Sequence, residues 1–225
     1  MTPSTRRLFT RWHRWAGWVL GVQVLIWFAS GLFMTLPPIQ KVRGTHLLKP
    51  APTEFTLDSA AAARALAVTP DATALSAVTV GETPLVKAAT PDGDVLLTAD
   101  GRPFTATETV IRTVARTRYA GDGTLATLRL LDTAPLDWRG DTPIWQAQFD
   151  DASRTRFYID PTTSEVQRVR THLWRVFDTA WMLHIMGYPD RDNFNTWWLC
   201  LFAFAAVLFA ITGLALLVPR RRLRA

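Results

Sequence analysis

Cysteine is nearly absent: Cys200 is the only one in 225 residues. A disulfide framework and a C-x-x-C redox or zinc motif are both excluded. The chain also lacks G-x-S-x-G, H-E-x-x-H and any glycine-rich phosphate loop, and Gly121-Asp122-Gly123 stands without the rest of a dinucleotide fingerprint. Hydrolytic and nucleotide chemistry therefore have no recognisable seat. The third scarcity is regional. All 19 acidic residues lie between Pro37 and Thr196, while the two ends carry eight arginines, no lysine and no acid. Such segregation excludes a simple soluble globule.

What is present at the ends is apolar length. Trp15 to Leu36 is a run of 22 residues whose only polar side chains are Gln23, Ser30 and Thr35, and Trp197 to Val218 is a second 22 interrupted by Cys200 and Thr212. At about 1.5 Å per residue each spans a hydrocarbon core of about 30 Å. The net charge of +6 does not indicate nucleic acid, because the excess flanks these runs: Arg6, Arg7, Arg11 and Arg14 before the first, Arg220, Arg221, Arg222 and Arg224 after the second. The middle holds 17 Lys and Arg against 19 acids. The positive-inside rule then predicts cytoplasmic termini and an exported segment of 159 residues from Pro37 to Asn195, periplasmic in a bacterial inner membrane. Thr5-Arg6-Arg7-Leu8-Phe9 resembles a twin-arginine export signal, but the apolar run is too long for a signal core and Phe28-Ala29-Ser30 offers no small-x-small site. An uncleaved anchor is expected.

Pro37-Pro38 ends the first run, and residues 37–53 read as an extended linker. The next stretch reads as α+β. Asp58 caps an alanine-rich helix; Leu85–Ala89 and Val95–Thr98 flank a Pro91-Asp92-Gly93 turn; a second helix covers about Ala106–Arg118. Strands follow at Ala126–Leu131, Ile144–Phe149 and Arg154–Ile159. Pro84-Leu85-Val86-Lys87-Ala88 and Pro143-Ile144-Trp145-Gln146-Ala147 hold matching places in a possible twofold repeat. Val169–Tyr188 reads as an amphipathic helix with Leu173, Val176, Phe177, Ala180, Trp181, His184 and Tyr188 on its apolar stripe. Asp190-Arg191-Asp192-Asn193 reads as an exposed turn before the second span, without the clustered histidine a metal would need.

Ile144-Trp145-Gln146-Ala147-Gln148-Phe149 through Thr155-Arg156-Phe157-Tyr158-Ile159-Asp160-Pro161-Thr162-Thr163 resembles the strand-turn-strand signature of PepSY domains. His13-Arg14-Trp15-Ala16-Gly17, Met182-Leu183-His184, and the paired Ser30-Gly31-Leu32 and Thr212-Gly213-Leu214 resemble PepSY-associated transmembrane helices. The resemblance implies a membrane protein with two transmembrane α-helices and an α+β periplasmic PepSY-like domain, its helices packed on antiparallel sheet. The expected divisions are residues 1–36, a basic segment and first span; 37–53, linker; 54–168, the domain; 169–195, amphipathic helix and turn; 196–219, second span; 220–225, basic tail. Longer members of this family include inner-membrane reductases of siderophore-bound iron that carry b-type haem. They have four or more spans, against two here.

Candidate site residues follow from the first span. His13, Gly17, Gly21, Val24, Phe28 and Gly31 recur at steps of three or four, and Gly17-Trp18-Val19-Leu20-Gly21 is a G-x-x-x-G. That face suits a close helix contact, or a flat porphyrin with His13 as axial ligand. His184 is the second candidate ligand for haem iron. His46 and His172 read as solvated or out of reach, and the tryptophans as a membrane-interface belt. Two functions stay open: a haem b electron-transfer protein or ferric-siderophore reductase component, or a non-enzymatic PepSY module restraining a periplasmic partner such as a protease. With no dinucleotide unit, electrons would come from a quinol or a separate donor subunit. His13 and His184 lie at opposite ends of a span, so haem would need a homodimer with one histidine from each copy.

Overall fold

The computed structural model describes residues 3–50, 56–189 and 191–217. The chain divides into two compact units, residues up to 38 with those from 176 onward, and residues 39–175.

In the first unit, α1 (Pro3–Thr35) packs against α6 (Trp197–Leu217). The pairing is antiparallel, since Arg6 reaches the Leu216 carbonyl and His13 reaches Thr212. Both helices are long and apolar enough to cross a membrane. Helix α1 starts well before the expected Trp15, because nothing between Pro3 and Arg14 breaks a helix. Its 33 residues reach about 50 Å, so the arginine-bearing turns extend beyond a hydrocarbon core.

The second unit is helix, three strands, helix, four strands. Helix α3 (Ser59–Val68) precedes an antiparallel sheet of β1 (Ala74–Val80), β2 (Thr83–Thr90) and β3 (Gly93–Leu97). Helix α4 (Glu108–Arg118) precedes an antiparallel sheet of β4 (Leu125–Leu131), β5 (Ile144–Phe149), β6 (Arg156–Ile159) and β7 (Val166–Arg170). Asp58 caps α3 by accepting from the Ala61 amide at 2.6 Å. Strand alternation sorts the core. Val86, Ala88 and Leu97 face Ala61 and Ala65 of α3, whereas Leu85 and Leu96 join Ile111, Val114, Phe149 and Phe157 in the larger cluster.

Two expectations are corrected. Residues 39–48 are not an extended linker: α2 (Ile39–Arg43) and a 3-10 turn at Thr45–Leu47 fold onto the domain. Val42 is 2% exposed, and Leu48 bridges Tyr119. Gly44 makes the turn at φ 69°, where an added Cβ would lie 2.7 Å from Val169 Cγ1. Burial of Val42, Leu47 and Leu48 outweighs the flanking prolines; residues 51–53 of the expected linker lie outside the described ones.

The amphipathic helix is also shorter than its hydrophobic stripe. Val169 belongs to β7, paired with Phe157, and α5 (His172–His184) begins only after Thr171, whose hydroxyl accepts from the Trp174 amide at 3.1 Å. It closes with the Gly187 amide on the Met182 carbonyl and Met186 at φ 52°, which leaves Tyr188 outside. Asp178, placed off the stripe by the sequence, is 5% exposed and paired with Arg191, while Val176 is 40% exposed.

Candidate functional site

Both candidate histidines are held by a second helix. His13 stacks on Phe209 with ring centroids 4.2 Å apart and planes within 6°, and its Nδ1 lies 2.9 Å from Thr212 Oγ1. His184, the last residue of α5, places Nδ1 3.1 Å from Ser30 Oγ and 3.2 Å from the Trp27 carbonyl. Each ring lies against the glycine that follows its hydroxyl partner. A Cβ added at Gly213 would stand 3.2 Å from His13 Cε1, and one at Gly31 would stand 3.4 Å from His184 Cε1. The motifs Ser30-Gly31-Leu32 and Thr212-Gly213-Leu214 are thus histidine seats. Seventeen residues of α1 separate His13 from Ser30, or about 25 Å along the axis.

The glycine face divides. A Cβ at Gly17 would touch Phe209 Cζ at 3.4 Å, so Gly17 admits the ring on which His13 stacks. Gly21 has no described atom within 4 Å of that position, and Phe28 is 73% exposed. The buried positions in this stretch are Leu20, Gln23 and Ser30. Between the two seats, Gln23 Nε2 and Trp27 Nε1 are buried donors without an acceptor among the described residues. Around His13 the helices form a laterally open groove of about 240 Å³, walled by Phe9, Trp12, Ala16, Leu208 and Phe209. Among the described residues no group of three or more His, Cys, Asp or Glu could hold a metal ion.

A second polar cluster, invisible in the sequence, sits on the far face of the four-stranded sheet. Alternation turns Phe157 and Ile159 to the core and Tyr158 away from it, opposite Gln146 and Arg168 on the adjacent strands. Over Tyr158 the loop after β4 folds back, stacking Trp138 on its ring at 5.1 Å and burying Asp137 to 5% exposure. Asp137 Oδ1 accepts from the Tyr158 hydroxyl at 2.6 Å, Oδ2 from Arg156 at 3.0 Å and Arg175 at 3.4 Å, and the main-chain carbonyl from Arg170 Nε at 2.9 Å. Burial, then the bond to Asp137, pushes the Tyr158 phenol well above its ordinary pKa. Burial, then Arg168, lowers Arg170 to about 10, and its guanidinium lies 4.0 Å from the Trp174 ring centroid. A neutral phenol and a carboxylate already accepting from three side chains make a structural clasp, not a nucleophile.

In a comparison against protein families, the model described as PepSY-associated TM region matches residues 10–225. No curated protein and no solved structure gave a significant match. The match takes in both apolar helices, both histidine seats and the whole α+β domain, so the chain belongs to the PepSY-associated TM region family and is a membrane protein.

Proposed function

We propose that this protein is a b-type haem protein of the bacterial inner membrane that passes electrons across the bilayer, serving the reduction of ferric iron held in siderophores. One observation carries the reading: two histidines, about 25 Å apart along α1, sit in equivalent seats, and neither Nε2 has a hydrogen-bond partner among the described residues. The residues fit haem in two respects. The donors are imidazole nitrogens suited to iron, and the groove beside His13 is apolar and open on one side. Haem would supply one-electron chemistry; the chain supplies the axial imidazoles, their orientation and an apolar shell. One copy walls a single side of the His13 groove, so a second copy is the natural cover and the working unit is a homodimer. Electrons enter from a quinol or a partner subunit.

The decisive measurement is an absorbance spectrum of the purified chain, oxidised and dithionite-reduced. The expected result is a Soret band with visible bands that sharpen on reduction. Protein produced with ample haem that shows neither overturns the reading and leaves a membrane-tethered PepSY module.

The proposed orientation places both termini in the cytoplasm and the domain in the periplasm, supported by the arginine flanks. A reporter enzyme active only outside the cytoplasm should be silent when fused after Ala225 and active when inserted at the exposed Asp141 loop. The opposite pattern refutes the orientation.

A further inference from the structure

The hydroxyl partners of the two histidines each have a main-chain carbonyl within donating reach, and that points to where the imidazole protons are. Thr212 Oγ1 donates its single hydrogen to the Phe209 carbonyl at 2.8 Å. Ser30 Oγ donates to the Ile26 carbonyl at 2.6 Å, with the Trp27 carbonyl at 3.2 Å. Each hydroxyl can then only accept from the histidine beside it. The His184 ring gives the same answer independently, since its Nδ1 also faces the Trp27 carbonyl, an acceptor with no proton to offer. In the neutral ring that arrangement puts the hydrogen on Nδ1 and leaves the lone pair on Nε2.

We infer that Thr212 and Ser30 are positioning residues that lock His13 and His184 in the Nδ1–H tautomer, so that each presents a bare Nε2 as a ligand nitrogen. The proposal rests on the haem reading only for the identity of the metal. One device is used twice: a hydroxyl holds Nδ1, the next residue is a glycine on which the ring rests, by its Cε1–Nε2 edge at Gly213 and its Cε1–Nδ1 edge at Gly31, and the histidine comes from another helix. An Nδ1–H partner of this kind raises ligand basicity and sets ring orientation, and its loss typically costs 10–100-fold in metal affinity. The two seats also differ in what else Nδ1 can reach. His184 has the Trp27 carbonyl in reserve, whereas the only described partner of His13 Nδ1 is Thr212.

The test uses the full-length chain in detergent, labelled with 15N-histidine, in haem-free and haem-loaded forms. In the haem-free protein two of the four rings should report Nδ1–H with bare Nε2. Thr212→Val, which keeps the shape and removes the hydroxyl, should release His13 into mixed tautomers. Ser30→Ala should leave His184 largely Nδ1–H through Trp27. In the loaded protein Thr212→Val should weaken haem binding about tenfold or more and shift the midpoint potential of the His13 haem, with Thr212→Ser restoring both. An unchanged His13 tautomer in Thr212→Val overturns the inference, as does Nε2–H on both rings of the wild type. A wild type with both Nδ1–H rings that takes up no haem upholds the positioning and overturns the proposed function instead.

Discussion

Replacing Asp137 with alanine is expected to destabilise the α+β domain by about 3–5 kcal/mol, the range for breaking a buried ion pair from one side. The size follows from what stays behind. Tyr158 loses the acceptor of its hydroxyl at full burial, and Arg156, whose Nε already lacks a partner among the described residues, loses its only described carboxylate. The two strands that meet here bring Arg156 opposite Arg170, a repulsion that the carboxylate offsets. For a unit of this size, about 3–5 kcal/mol corresponds to a fall of roughly 10–20 °C in the melting temperature. Near-ultraviolet circular dichroism should follow it, because Trp138 stacks on Tyr158. Arg175→Ala should cost under about 1 kcal/mol, since that contact is longer and partly solvated. A melting temperature within a few degrees of wild type for Asp137→Ala would show that the loop is held by packing alone.

How much of this was legible in the sequence differs between the two units for physical reasons. The spans could be read because lipid demands an unbroken apolar length, and Trp197–Leu217 appears within one residue of its run. Caps could be read at Asp58, and Leu85–Ala89 and Val95–Thr98 lie in β2 and β3 to within a residue. β7 could not: Val166-Gln167-Arg168-Val169-Arg170 has apolar side chains three apart, a helical spacing, and pairing to β6 overrides it. β1 has small and polar residues on both faces and showed no clear alternation. His13 and His184 were visible as histidines on apolar stretches, and the hydroxyl-glycine-leucine pairs as repeated words. That each word seats a histidine from a different helix is a tertiary fact, unreadable along one chain. Asp137 left no signal at all, because a loop residue's burial depends on the strand it folds over.

The same seats set the second large expectation, which concerns haem stoichiometry. His13→Ala should remove about half the bound haem, His184→Ala the other half, and the double substitution all of it. A bis-histidine haem needs its two ligating nitrogens about 4 Å apart. Within one chain the seats are about 25 Å apart along α1, and no rotation of either side chain closes that gap. In the proposed haem protein each haem would draw the same-numbered histidine from two copies, which would give one haem per chain in a twofold dimer. The pyridine haemochrome assay reads haem per chain, and cross-linking in native membranes reads the dimer. A control separates ligand loss from loss of fold. Gly213→Leu keeps the imidazole but sets a side chain where its ring edge lies, 3.2 Å from the Cβ position, so it should displace the ring and reproduce the His13→Ala loss, and haem kept at His184 would show that the helix pair still folds. A monomer that keeps both haems, or a double variant with full haem content, would remove these histidines from the site.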